Sequence, residues 1–416
     1  MPVIDTIEKV VGIRSHFTAL LLLLFTCLSP MAAIVMAPNL PNIQQHFSTI
    51  AHIEYLTPIA LTIPGLIMGF FSPVVGFLTD RFGRKKLLIL STFAYGILGS
   101  SPMFLDSFYL ILASRVLLGF FEAVVITVST TLIGDYYSAQ LRKKYLALQV
   151  TAASTSAIFF FALGGYLGGI SWRLAFVVYL VPIIFAILGQ IFLWEPKRKT
   201  HNNLDFSKEL RSTNEVTLFR PWFMLGIWVT AFLAAVTFMI LQIQIPYLLA
   251  TIGENSPKTA GNIAAISTVF IVIGTLVVQY FYKRGWSIAF NLLLGFGLIG
   301  ISFILLSHAT TSQQILTYAL INGFGSGILL PTVTVWNMQN LPAEKRGLGI
   351  GMWQGFYNFG MFISPVIIVF INTFTGSLPN TLNLIGPILV VLAIFCVVYD
   401  KFRSKAFDPS TNRKAA

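Results

Sequence analysis

Charge is what this 416-residue sequence has least of: Asp, Glu, Lys and Arg together make up 10% of it. A typical soluble domain carries roughly 25%. A globule with so few charged side chains could not clothe its surface, so a water-soluble fold is excluded. Acids are the scarcest class, 15 against 27 Lys and Arg. Cysteine is nearly absent. Cys27 and Cys396 sit in apolar runs without metal-type spacing and read as small packed hydrophobes. The five histidines (His16, His46, His52, His201 and His308) fall in loops or at the ends of apolar runs, none paired at metal-ligand spacing. There is no His-Glu-x-x-His, no Gly-x-Ser-x-Gly and no Gly-rich phosphate loop closing on a lysine. These absences exclude the usual intramembrane enzymes and an ATP-driven machine. No small-residue cleavage site follows the first apolar run, Phe17 to Ala37, which reads as an uncleaved transmembrane helix.

What is present is apolar: 56% hydrophobic residues, 37 Phe and a mean hydropathy of +0.80. A helix needs about 20 such residues to cross the hydrocarbon core. Twelve stretches qualify, near 17–38, 54–78, 86–105, 108–134, 145–168, 172–194, 221–250, 258–282, 287–307, 313–339, 347–372 and 381–401. The predicted fold class is an all-α polytopic membrane protein. Of the 27 basic residues, Arg173 and Lys258 lie in one set of loops and Arg115 lies inside the fourth span, leaving 24 on the other side. By the positive-inside rule that side is cytoplasmic and holds both termini. The net charge of +12 is then a topology signal, and no nucleic-acid partner is needed to explain it.

The longest polar connection, 195–220, divides the chain into a six-helix bundle at 1–194 and another at 221–402, followed by a tail at 403–416. A faint repeat supports the division. At an offset of 204, Gly119-Phe120 falls on Gly323-Phe324, and Arg142 falls on Arg346. Parallel repeated halves are one architecture of secondary transporters.

Between the second and third spans stands Gly76-Phe-Leu-Thr-Asp80-Arg81-Phe-Gly83-Arg84-Lys85-Lys86. It reads as a tight turn: Gly83 is free to take a positive φ, and Asp80 offers an anion to helix N-termini and arginines. The basic run suits an anionic inner leaflet. This ordered pattern closely resembles the signature loop of the major facilitator superfamily, and the helix count, six-plus-six division and loop charges extend the resemblance over essentially the whole chain. The resemblance implies the superfamily fold, twelve helices in two pseudo-symmetric bundles. It also implies a gating loop of Gly76, Asp80, Arg81, Gly83 and Arg84. In the family the loop's Asp contacts the second half near helix eleven and stabilises the outward-facing state.

Two further motifs bear on coupling. Arg115-Val-Leu-Leu-Gly119 resembles the Arg-x-x-x-Gly element of proton-coupled drug exporters. Seven residues on, Glu122 lies on nearly the same helix face, about 10.5 Å along the axis. Charges inside a membrane are costly and functional by default, so Glu122 and Arg115 are the candidate proton-coupling residues. Neither recurs at the 204 offset, where Ala319 and Ser326 stand. In span five, Ser156, Phe160 and Phe161 replace two glycines and the proline of the exporters' motif, and only Gly164-Gly165 match. That departure leaves a proton-coupled importer of an organic solute as the alternative. The signature motifs of sugar transporters are not apparent.

In the family, helices 1, 4, 7 and 10 line a central cavity with parts of 2, 5, 8 and 11. On those helices the second half offers Gln242, Gln244, Asn322, Trp336, Gln354, Tyr357 and Asn358 as candidate substrate-cavity residues. Amides among aromatics suit an amphiphilic drug or secreted metabolite. The expected function is proton-coupled export by alternating access, with no cofactor and no metal, a proton gradient as energy source, and a monomeric chain among membrane lipids. No N-glycosylation sequon is present, since Asn255-Ser-Pro fails the rule, which fits a bacterial inner membrane. Gly295-Phe-Gly297-Leu-Ile-Gly300 spells a dinucleotide fingerprint but lies in an apolar span, and reads as close helix packing along with Gly65/Gly69, Gly164/Gly168, Gly323/Gly327 and Gly351/Gly355.

Overall fold

A computed structural model describes residues 16–196, 221–341 and 345–406. All regular structure among them is helical. Of the central connection only Glu195 and Pro196 are described; 197–220 and 407–416 lie outside the described residues. The chain divides into two compact units, Met1–Glu209 with Ser256–Ala265, and Leu210–Asn255 with Ile266–Ala416.

The first unit contains α1 (His16–His46), α2 (Ile53–Phe82), α3 (Arg84–Ser100), α4 (Phe108–Tyr136), α5 (Ala139–Ile170) and α6 (Val181–Phe192, entered through 3-10 turns at Leu174–Leu180). The second is built from α7 (Pro221–Thr251), most of α8 (Pro257–Lys283), α9 (Ile288–Ser307), α10 (Ser312–Gln339), α11 (Arg346–Thr375) and α12 (Leu378–Ala406). Among the described residues eleven helices are long and apolar enough to cross a membrane. The remaining one is α3, with 17 residues. At about 1.5 Å per residue it is ~25 Å long, and the turn Ser101–Met103 carries the chain further. It is the span expected near 86–105.

Proline explains the irregularity of α1. The helix passes through Leu28–Ile34, a 3-10 turn at Ala37–Asn39, and Leu40–His46. Pro30, Pro38 and Pro41 stand in or beside the breaks, each without an N–H and each crowding the carbonyl four residues back.

The pairing of helices repeats. In the first unit α3 packs on α4 and α6, and α1 on α5. Six helices later, α9 packs on α10 and α12, and α7 on α11. The sequence repeat coincides with the closest approaches. A β-carbon on Gly119 of α4 would come 2.6 Å from the Pro64 carbonyl oxygen of α2; one on Gly323 of α10 would come 2.4 Å from that of Ser267 in α8. Gly164 likewise presses on Val35, Gly327 on Ile271, Gly295 on Leu329, and Gly300 on the Gly386 carbonyl. Gly65, Gly351 and Gly355 do not follow the expectation, since a β-carbon at any of them would meet nothing within 4 Å. A glycine spacing marks a smooth stripe without saying whether a neighbour lies on that side. The outer faces are apolar, with Phe70, Phe159, Ile191, Phe374 and Phe395 exposed. Lipid tails accept such a surface, whereas water would not.

Candidate functional site

The buried charges of the first unit come from one helix and go to different partners. Arg115 of α4 has no exposed surface. Its Nη2 donates to the carbonyls of Leu98 (2.8 Å) and Gly99 (3.0 Å) at the end of α3. Those carbonyls belong to the last turn of α3 and lack the usual partner four residues on. A cation there also complements the negative end of the helix. The guanidinium carbon lies 5.5 Å from the Phe176 ring centroid and 5.2 Å from that of Tyr179. Arg115 thus ties α3, α4 and the approach to α6 together. The fit requires Gly99, where a β-carbon would fall 2.0 Å from the Tyr179 ring.

Glu122, two turns along α4, is 3% exposed. It accepts from Ser29 Oγ of α1 at 3.1 Å, and its Oε2 has no partner among the described residues. The two charges share a helix and, among the described residues, form no ion pair with each other. Around them, Tyr95 donates to the Leu28 carbonyl (2.8 Å), and Tyr179 stands 3.0 Å from the carbonyls of both Met31 and Ala32. These hydroxyls satisfy backbone in the proline-broken part of α1. Ser29, Tyr95 and Tyr179 were missed by the sequence reading, which sought uncharged polar residues only in the second half. The signal available was their position in spans, with Ser29 adjoining Pro30.

At the other end of α4 lies the signature loop. Gly76 and Asp80 belong to α2, and their side chains lie outside the described residues. Arg81 is exposed, over the ring of Phe82. Gly83 alone separates α2 from α3, with φ +84°, and a β-carbon there would also stand 3.3 Å from the Glu195 carboxylate. Arg84 pairs with Asp135 of α4. The anion seated on the N-terminus of α3 is Glu195, which accepts from Arg84 N (2.7 Å) and Lys85 N (2.9 Å). Trp194 stacks on Tyr136 with centroids 4.1 Å apart. The loop is therefore tied to the ends of α4 and α6, a role for Glu195 that its place at the start of a polar connection concealed.

The second unit buries amides and indoles instead. Trp228 Nε1 of α7 donates to Asn337 Oδ1 of α10 at 3.1 Å. Trp228 also belongs to an apolar cluster with Met224, Ile227 and Leu341, against which Trp336 and Trp353 pack. Trp353 stacks on Tyr357, one helical turn further along α11, with centroids 5.4 Å apart. Gln242, Gln244, Asn322 and Asn358 are buried, while Gln354 is partly exposed. Gln242 Oε1, Asn322 Nδ2, Asn358 Nδ2 and Trp353 Nε1 have no partner among the described residues. Trp336 is thus held in the apolar cluster, and the amides keep unused hydrogen-bonding capacity. No group of His, Cys, Asp or Glu suited to a metal occurs among the described residues.

The described residues form helix bundles with repeated pairings, apolar outside and sparsely charged within. The sequence profile of the Major Facilitator Superfamily matches residues 22–365 and, overlapping them, 227–415. The chain belongs to that superfamily, whose members are multi-pass transporters and not enzymes. It is 22% identical over 381 residues to the bacillibactin exporter of Bacillus subtilis, covering 88% of this chain and 90% of that one. It is 23% identical over 386 residues to the class B tetracycline resistance protein of Escherichia coli, covering 90% and 92%. Among solved structures it is similar to a bacterial homologue of the human lysosomal transporter Spinster, with a TM-score of 0.71 at 15% identity over 94% of this chain and 97% of the other.

Proposed function

We propose that this transporter exports an amphiphilic small molecule in exchange for protons, by alternating access. The observation that carries the reading is Glu122: a carboxylate buried within a span, held by one serine hydroxyl and with an oxygen unpartnered. Such a group is costly unless it does something, and taking up and giving off a proton is what a carboxylate there can do. Arg115 is a fixed cation that holds its surroundings in place. Relatives named as a bacillibactin exporter and a tetracycline resistance protein support export. The unpartnered amides Gln242, Asn322 and Asn358 and the Trp353–Tyr357 stack would supply the polar and aromatic contacts an amphiphile needs, joined by Gln244 and Gln354. The loop Gly76 to Arg84 gates the basic side, which is cytoplasmic and holds both termini in a bacterial inner membrane.

The test is transport of a compound panel in proteoliposomes under an imposed pH gradient. Glu122→Gln is expected to abolish pH-driven efflux while leaving substrate binding measurable. Unchanged pH-driven transport would remove the proton role, and unchanged turnover in Asp80→Asn would remove the gating role. Phe160 and Phe161, standing where exporters of the family carry Gly-Pro, favour a second reading, proton-coupled import. Comparing inverted with right-side-out vesicles decides between the two directions.

A further inference from the structure

α3 and α6 of the first unit enclose an open groove of about 660 Å³. One wall is a stripe of α3, Lys86, Ile89, Leu90 and Phe93, whose spacing of three, four and seven puts them on one helix face. The other is formed by Ala186, Ile187 and Gln190 of α6. Leu90, Phe93 and Ile187 are exposed, so the groove opens on the lipid-facing side. Its polarity is graded along α3: Lys85 and Lys86 occupy the first turn, and Phe93 lies two turns deeper in the span.

The charge at the mouth is net positive, two lysines against one carboxylate. Among the described residues neither lysine forms an ion pair. Lys85 Nζ donates to the Gln190 carbonyl at 2.9 Å, which holds the ammonium at the groove's end. The one acid in the lining, Glu195, has both oxygens engaged by the backbone N–H groups of Arg84 and Lys85.

We propose that this groove binds an anionic phospholipid, its phosphate at Lys85 and Lys86 and one acyl chain along Ile89, Leu90, Phe93 and Ile187. A basic head on an apolar slot at the edge of a span matches that class of ligand at both ends. A soluble phosphate would leave the slot unfilled, and a zwitterionic lipid would leave the excess positive charge of the mouth unbalanced. The lysines directly follow Gly83 and Arg84, so an occupied groove loads the signature loop.

The experiment uses the full-length chain, delipidated in detergent and titrated with dioleoylphosphatidylglycerol or dioleoylphosphatidylcholine, with retained lipid read by native mass spectrometry. The anionic lipid is expected to bind roughly tenfold or more tightly than the zwitterionic one, from two lysines near the surface. K85Q/K86Q should remove the preference and K85R/K86R should keep it, which also shows that a doubly substituted loop folds. K283Q/R284Q, a basic pair at the end of α8, should leave it unchanged, and Ile187→Trp, which fills the slot, should weaken binding of the anionic lipid. Equal binding of both lipids, or a preference that survives K85Q/K86Q, overturns the proposal. So does an equal loss in K283Q/R284Q, which would mean general surface attraction. Displacement of the lipid by millimolar inorganic phosphate, or indifference to Ile187→Trp, would reduce the groove to an anion site and overturn the lipid assignment.

Discussion

The two halves of the molecule share their helix pairings and differ in what they bury. Each presses a glycine of its fourth helix against the backbone of its second, Gly119 on Pro64 and Gly323 on Ser267. Where the first half has Arg115 and Glu122, the second has Ala319 and Ser326, buried like them but uncharged. The second half buries amides with unsatisfied atoms, Gln242, Asn322 and Asn358. Backbone proximity is a constraint of the scaffold and applies at both places. Interior chemistry carries no such constraint. Among the described residues charge is buried in the first half alone, whereas unpartnered neutral polar atoms occur in both, on Asn39 and Thr57 in the first and on those three amides in the second.

The largest effect expected from breaking this division is at Arg115. Arg115→Met fills similar volume but leaves the Gly99 carbonyl without its donor, at about 1–3 kcal/mol for the orphaned acceptor, and leaves the Leu98 carbonyl with the Ser101 hydroxyl alone. The rings of Phe176 and Tyr179 also lose their cation. A large fall in the melting temperature of the detergent-solubilised protein is expected. Glu122→Gln should leave that temperature almost unchanged, because an amide oxygen still accepts from Ser29. Comparable losses in both variants would mean that both charges are structural, and the first half would lose its claim to the coupling chemistry.

Next in size come the paired glycines. Gly119→Ala and Gly323→Ala each place a methyl group against a carbonyl oxygen, and overpacking of this kind costs about 1–3 kcal/mol. If the halves are equivalent as scaffolds, the two substitutions should lower unfolding stability by similar amounts, measured by denaturant titration in mild detergent. A marked inequality would show that the repeat is a likeness of sequence without a likeness of load.

How much of this was legible beforehand follows the same division. The spans, the six-plus-six organisation and the Gly119/Gly323 match could be read because hydropathy and backbone crowding depend on residue type alone. The short α3 and the broken α1 were blurred, since prolines mark a break without saying how the chain resumes. Arg115 and Glu122 stood out because charge in a span is rare, yet a shared helix face did not predict separate partners. Those partners, the end of α3 and a serine of α1, are set by which helices are neighbours. Glu195 was invisible as a cap for a related reason. Its partners, the N–H groups of Arg84 and Lys85, lie 111 and 110 residues away.

The smallest thermodynamic effects separate glue from recognition in the second half. Trp228→Phe keeps an aromatic ring in the cluster with Met224, Ile227 and Leu341 and loses one hydrogen bond to Asn337. A loss of about 1 kcal/mol is expected, with little change in transport, because this indole joins α7 to α10. Asn322 offers the opposite test. Its Nδ2 is buried without a partner and its Oδ1 lies 3.5 Å from the Ser326 hydroxyl, a long and weak contact. Replacing a poorly satisfied buried amide by an apolar group of like size is near neutral or stabilising. Asn322→Leu should therefore leave unfolding stability level or slightly raised while transport of the cognate compound falls. Lost stability with intact transport would make Asn322 another helix tie, and the amides of the second half would no longer stand as the counterpart of the charges in the first.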